Sequence, residues 1–284
     1  MTPRGGPPCY DRRAVRRTLI LLVPLLLLGS CTSPEVALEY RLSRSRPLQY
    51  SLRLEADIER TLEGETRVER VEATFRAGQE ILEELAGGGA RARMTLDPIA
   101  LHVNGEAENV GTGQEFLVTL GPGGEVESVE ETTAGIAESL GPVGIERLLP
   151  RLRPVLPADP VEPGERWSSE TRIADEDGTF SIEASSRLAA LDRLGGRPSA
   201  LVRTTYISPV DRREIFANAV ADLSGRDVGT QEAWFSLEGY LIRASGDSVG
   251  RFDVAFRPPG GEESGVEVEG RLSVRLHTEM VLVP

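Results

Sequence analysis

From Leu48 to Ile58 the chain alternates without a fault. Leu48, Tyr50, Leu52, Leu54, Ala56 and Ile58 are separated by Gln49, Ser51, Arg53, Glu55 and Asp57. Near the other end Val266, Val268, Leu272, Val274, Leu276, Met280 and Leu282 are set against Glu267, Glu269, Arg271, Ser273, Arg275, His277 and Glu279. Successive side chains of a strand point to opposite faces, so this period-two pattern predicts strands with one buried and one wet face. Both segments are far longer than the five or six residues of an ordinary strand. Strands of such length must twist and curve, and their apolar side needs a cover.

Shorter alternating runs lie between the two. They are Val71-Ala73-Phe75, Phe116-Val118-Leu120, Phe180-Ile182-Ala184, Val202-Thr204-Tyr206, Trp234 to Leu237, Tyr240-Ile242-Ala244 and Phe252-Val254-Phe256. Gly87-Gly88-Gly89, Gly121-Pro122-Gly123-Gly124, Gly195-Gly196-Arg197-Pro198 and Pro258-Pro259-Gly260-Gly261 separate them with turn compositions that suit antiparallel hairpins. Gln79 to Leu85 fits a helical face as well as a strand, and is read as strand. Two stretches match each other: Gly111 to Ser128 and Gly229 to Ser245 both run Gly-Thr, an aromatic-led strand, a glycine turn, then a strand ending in Ser. The match implies two related β-halves within one sheet.

One segment departs from the strand pattern. Ile136, Leu140, Ile145, Leu148, Leu149 and Leu152 recur at three-to-five-residue intervals, which predicts an amphipathic helix from Glu130 to about Leu152, broken near Gly141-Pro142. Pro154 to Gly164, with four prolines, predicts an extended linker. The expected fold is mainly β: a large, curved, half-barrel-like antiparallel sheet of two similar halves, with one broken helix on its concave face. Residues 39–129 form the first half, 130–153 the helix, 154–165 the linker and 166–284 the second half of a single domain.

The first thirty residues read as a leader. Arg12, Arg13, Arg16 and Arg17 precede the apolar run from Leu19 to Leu28, and Leu28-Gly29-Ser30-Cys31 follows. The run is roughly half the ~20 residues needed to span a bilayer and contains Pro24, so an uncleaved anchor is the weaker reading. The order resembles a bacterial lipoprotein signal. That resemblance implies cleavage before Cys31, acylation of Cys31 with fatty chains such as palmitate, and a short tether over residues 31–38. It also implies a place on the cell envelope, with Thr32 after the cysteine consistent with an outer membrane facing the periplasm in a Gram-negative organism. Cys9 would be lost with the leader, so the mature chain would hold no disulfide, no free thiolate and no cysteine metal site.

Every one of the 32 basic residues is arginine, against 45 acids, for a net charge of −13. Losing five arginines and one aspartate with the leader takes this to −17. A surface so acidic repels phosphate backbones and anionic head groups, which argues against nucleic acid as a partner.

Little in the sequence offers chemistry. His102 and His277 each stand alone in a strand pattern, without a second ligand at zinc spacing. No Gly-x-Ser-x-Gly elbow is present, and a Walker loop is impossible in a chain without lysine. Asp175-Glu176-Asp177-Gly178 has the composition of a hairpin tip and lacks the twelve-residue ligand spacing of a calcium loop. No cofactor, metal or catalytic residue is expected. Trp167, just after the linker, reads as a plug where linker meets sheet, or alternatively as a stacking surface for a ligand.

Tyr40-Arg41-Leu42, Val118 to Val126 (VTLGPGGEV) and Val161 to Trp167 (VEPGERW) carry a wider likeness. On these the mature chain resembles a family of uncharacterised bacterial secreted lipoproteins that has no established catalytic residues. In plan the fold is also similar to periplasmic lipoprotein carriers, whose curved half-barrel holds acyl chains, although architecture does not fix function. The expectation is a non-enzymatic, membrane-anchored protein that takes a lipid-like molecule into an apolar groove lined by Leu52, Leu54, Ile136, Leu140, Leu148, Trp167, Val274 and Leu276. The alternative is a structural or interaction lipoprotein with a filled core that meets another envelope protein. Cavity volume separates the two.

Overall fold

The two long alternating segments are neighbours. In a computed structural model, Leu48–Leu62 (β1) pairs antiparallel with Val268–Leu282 (β12), from Tyr50 opposite Leu282 to Leu62 opposite Gly270. This register sets Leu52 opposite Met280, Ala56 opposite Leu276 and Ile58 opposite Val274 on one face, and Arg53 opposite Glu279 on the other. A slip of one residue would turn every apolar side chain outward, so the hydrophobic pattern itself fixes the pairing. The structure describes residues 35–42, 47–132, 148–175, 178–216, 219–257 and 268–283. Glu35–Pro284 is one compact unit that contains the whole described core.

Between β1 and β12 run Glu65–Glu84 (β2), Ala90–Val103 (β3), Glu106–Ala107 (β4), Gln114–Leu120 (β5), Val126–Glu131 (β6), Arg166–Asp175 (β7), Gly178–Leu194 (β8), Arg197–Phe216 (β9), Ala219–Ser236 (β10) and Tyr240–Arg257 (β11). Strand makes up 75% of the described residues and helix 2%, which places the fold in the β class. The sheet order is β2-β1-β12-β11-β10-β9-β8-β7-β6-β5-β3-β4, and β2 also pairs with β3. The expected curved sheet therefore bends until it is nearly closed and barrel-like, with β4 as a short flap. Closure removes the exposed edges that a sheet of such length would otherwise present.

Closure is thinnest between β6 and β7. These two strands run parallel and share a single pairing, Ser128 with Ala174, whereas every other neighbouring pair is antiparallel. The two stretches that match in sequence are hairpins at the same end of the barrel, β5–β6 and β10–β11. Each has a register shift just before its tip, at Thr119/Leu120 and at Trp234/Phe235. Asp175 pairs with Gly178, as a hairpin at that acidic tip requires.

Of the helix expected over residues 130–153 only the two ends fall on described residues: its first residues are strand, and Leu148 is helical. Glu130 and Glu131 belong to β6, and Leu149–Arg151 is a single 3-10 turn. Ile136, Leu140 and Ile145 lie outside the described residues. One bond, from Leu152 N–H to Leu149 O at 3.2 Å, closes the turn, and Pro154 just beyond it stops any continuation. The linker that follows is extended, as its prolines require.

Polar side chains cover the outer wall. Arg53–Glu55, Arg70–Glu72, Arg203–Glu232 and Arg243–Glu279 form ion pairs there at 2.6 to 3.1 Å. A barrel set in lipid carries an apolar outer band in which each charge costs about 2–4 kcal/mol. This wall has the opposite polarity and faces water. Among the described residues no helix is long and apolar enough to cross a membrane.

One end of the barrel is roofed by the three segments that carried the sequence likeness. Val36 and Val161 exchange backbone hydrogen bonds at 3.0 Å, and Leu156 N–H donates to Gly123 O at 2.9 Å. Tyr40 lies across Gly124, donates its hydroxyl to Pro154 O at 3.0 Å and meets Phe235 edge-on with centroids 4.8 Å apart. We call this the lid end. Gly124 has φ of +82°, and a Cβ there would stand 2.0 Å from the Tyr40 ring. Gly64, at the opposite end, has nearly the same backbone (φ +84°) and open space around it. Gly64→Ala should therefore cost only the left-handed penalty of about 1–2 kcal/mol. Gly124→Ala should lose about 1–3 kcal/mol more through overpacking, read as a lower denaturation midpoint with an unchanged slope.

Candidate functional site in the barrel lumen

The inward face of the sheet has two characters. On β1, β2, β3, β5 and β12 it is apolar, with Leu52, Leu54, Phe75, Met94, Leu96, Phe116, Leu276 and Met280 all buried. On β8 to β11 the same inward positions carry Ser186, Thr204, Tyr206, Ser208, Asp227, Gln231 and Ser248, also buried. Several of these satisfy one another: Ser186 and Thr204 hydroxyls are 2.8 Å apart, and Ser208 donates to Ser181 O at 2.9 Å.

Into this two-sided lumen the chain inserts residues 148–156. Leu148, Leu149 and Leu152 join the apolar cluster, where Leu149 and Leu152 share a cavity lining with Tyr50, Leu52, Met94, Leu96 and Met280. Arg151 turns the other way. Its Nη1 lies 2.5 Å from Asp227 Oδ2, with the two side chains only 11% and 5% exposed, and its guanidinium stands 5.8 Å from the Tyr206 ring centroid. The Asp227 contact is a close charge pair without hydrogen-bond alignment, and Arg151 Nε has no hydrogen-bond partner. Gln231 Nε2 donates to Arg151 O at 2.7 Å, tying the backbone of the turn to β10. Gly229 is needed beside it, because a Cβ there would fall 2.4 Å from the Tyr206 ring.

Arg153 is buried as well, hydrogen-bonded to Gln79 Oε1 and stacked 4.6 Å from the Tyr40 ring centroid. Burial holds Tyr40, Tyr50 and Tyr206 above the usual phenol range, with Arg153 opposing the shift at Tyr40 and Tyr50 and Arg151 opposing it at Tyr206. Desolvation disfavours the phenolate more than one neighbouring cation favours it.

The expected groove residues divide accordingly. Leu52, Leu54, Leu148, Val274 and Leu276 are brought together in one buried cluster. Trp167 belongs to a second cluster at the lid end with Leu38, Tyr40, Leu156, Val161, Leu188 and Phe235, and its Nε1 donates to Val155 O at 2.8 Å. Ile136, Leu140 and Cys31 lie outside the described residues. Leu52 lines a cavity of about 10 Å³, and Val274 and Leu276 line one of about 30 Å³ with Arg151, Asp227 and Phe252. About 10–15 Å³ admits one water, whereas pockets for drug-sized ligands start near 300 Å³.

Sequence reasoning missed Arg151, Arg153, Asp227, Gln79 and Gln231. The signal for the last three was a polar residue at an inward position of an alternating strand. On β10 the series Ala221, Leu223, Gly225, Asp227, Gly229, Gln231, Ala233, Phe235 breaks from apolar to polar and back. Two arginines flanking Leu152 in a leucine- and proline-rich segment were the matching signal.

On the outer wall His277 Nδ1 lies 2.8 Å from Asp247 Oδ1, a cross-strand pair on β12 and β11. Among the described residues no group of three or more His, Cys, Asp or Glu is placed to hold a metal ion. No protein-family model matches the chain, and no curated protein matches it in sequence.

Asp227→Asn should cost about 3–5 kcal/mol in denaturant melts, because it leaves the Arg151 guanidinium buried and uncompensated. The joint replacement Arg151→Met, Asp227→Leu should recover most of that loss. The tyrosines give a second test. Their phenols have a higher pKa folded than unfolded, so their contribution is intact below the unfolded value near pH 10 and declines as pH rises above it. An alkaline titration should show tyrosinate absorbance from Tyr40, Tyr50 and Tyr206 only as circular dichroism reports unfolding. In a Tyr240→Phe variant of the chain lacking residues 1–30, a gradual rise near pH 10 in the folded protein would contradict the burial.

Proposed function

We propose that this protein is a lipid-anchored component of the cell envelope that acts by binding through its surface, with a filled barrel as its rigid body. The observation that carries the reading is the middle of the lumen: the chain's own residues 148–156 occupy it, the cavities beside Leu52, Val274 and Leu276 are about 10 and 30 Å³, and the opening of about 590 Å³ at the far end sets Leu223 and Val254 among five carboxylates, which does not suit an acyl chain. An acyl chain needs a continuous apolar groove, and at these positions Leu149, Leu152 and Arg151 fill the space such a groove would use. This favours the filled-core alternative over the carrier. A partner on this charged wall would be another envelope protein of complementary charge, recognised through electrostatic steering and specificity. Binding and not catalysis is further supported by Arg151 and Asp227, the closest-set ionisable pair of the lumen, which are spent on each other.

The anchor in this reading is Cys31, acylated after removal of residues 1–30, with the barrel on the periplasmic side of an outer membrane where the organism has one. A single acyl chain holds a protein only marginally, so a multiply acylated cysteine is the form that suits stable attachment.

Metabolic labelling with palmitate should mark the protein and should be abolished by Cys31→Ser. Native mass spectrometry of the purified acylated protein should give the mass of the chain and its own acyl groups alone. A stoichiometric additional apolar molecule would reinstate the carrier, and an unlabelled wild-type chain would remove the anchor.

A further inference from the structure

We propose that the lid end docks on the membrane that holds the anchor, and that the phosphate of an anionic phospholipid headgroup seats between Arg41 and Arg197. The inference rests on Cys31 being the acylated residue.

A cavity of about 300 Å³ opens at this end, lined by Arg41, Leu48, Ile81, Arg197, Tyr240 and Leu282 among others. Its lining joins apolar Leu48, Ile81 and Leu282 to two arginines and one carboxylate. Arg41 is held in place by its backbone, which donates to Gly239 O at 2.9 Å, and its stem crosses Gly239, where a Cβ would come within 2.5 Å of it. The Arg197 guanidinium stands 5.9 Å from the Tyr240 ring centroid. The one carboxylate in the lining, Glu238, accepts a hydrogen bond from the Tyr240 hydroxyl at 3.1 Å. Neither arginine has a carboxylate partner among the described residues. On a chain so acidic overall, two guanidiniums without a carboxylate partner beside Leu48, Ile81 and Leu282 are a local exception, complementary to a phosphate with hydrocarbon next to it. The volume suits a headgroup and its glycerol, and is too small for whole acyl chains.

Chain length points to the same end. Val36 is pinned to Val161 in the roof, and it stands only five positions after Cys31. Five residues span at most about 18 Å. An acylated Cys31 therefore keeps the roof within that distance of the bilayer, and the wall below it projects away.

The test uses the acylated protein in nanodiscs, with Leu237→Cys at the lid-end hairpin tip or Val68→Cys near the opposite end as the single free thiol. Each carries a fluorophore, and the lipid carries a headgroup quencher. Position 237 should be quenched in phosphatidylglycerol discs and much less in phosphatidylcholine discs, and position 68 in neither. Arg41→Gln with Arg197→Gln should lower the docked-to-free ratio in phosphatidylglycerol roughly 30-fold, the equivalent of about 1 kcal/mol for each arginine at an anionic surface. Equal quenching at both positions, or a phosphatidylglycerol preference that survives the double substitution, would overturn the docking. Intact mass separates the two failures: an acylated protein without headgroup contact sinks the docking alone, while an unacylated Cys31 sinks the anchor and the docking together.

Discussion

A single parallel pairing governs this architecture. β6 and β7 run in the same direction, and parallel neighbours cannot be joined by a hairpin; they need a crossover of a dozen residues or more. In open α/β sheets that crossover is a helix laid on an outer face. Here the sheet closes around it, and the described part of the crossover, residues 148–156, is the material that fills the lumen. Seam and filling are one feature. A ring of eleven strands around an empty lumen would leave Leu52, Met94, Leu96 and Met280 facing a void, and the crossover supplies the leucines that meet them.

The filling works because its two sides match the two sides of the wall. Leucines at 149 and 152 face the apolar strands, while Arg151 between them faces Asp227, Tyr206 and Gln231. A buried ion pair is weak evidence for stability, since desolvation offsets much of its attraction. Its stronger effect is on register: a shift of one residue would set Arg151 against Leu52 and strand Asp227 without a counter-charge. The polar contacts thus select one way of inserting the turn, and the leucines provide the driving force once it is inserted.

This division explains what the sequence made legible. The strands Leu48–Ile58 and Val268–Leu282 were readable because their inward positions are uniformly apolar. β9 was visible only as Val202-Thr204-Tyr206, although it runs from Arg197 to Phe216, since Ser208 is a polar residue on its inward side. The same polar inward layer hid the length of β10. The helical spacing of Leu148, Leu149 and Leu152 was a true sign of an apolar face. It predicts a cover on the concave face of a half-barrel, and the nearly closed sheet puts these leucines inside it, because single-sequence periodicity reports that a face is buried and not what surrounds it. Closure of the sheet depends on the β2–β3 and β6–β7 pairings, which join residues by register and leave no local mark. Arg151 and Asp227 are 76 positions apart, and nothing in either segment names the other.

The three segments that carried the sequence likeness have no chemistry of their own, yet they meet at one end of the barrel. Tyr40 presses on Gly124, Leu156 bonds to Gly123, and Val161 pairs with Val36. A roof built from three distant stretches restricts the residues at each contact more tightly than a hairpin on the wall does, because a change in one must be matched in the others. The start of the described chain is locked into this roof, so packing sets the point at which the preceding residues join the barrel. Whatever lies before Glu35 is attached at the lid end, and the opposite end opens between Glu63, Asp211, Asp222, Asp253, Glu269 and Arg271.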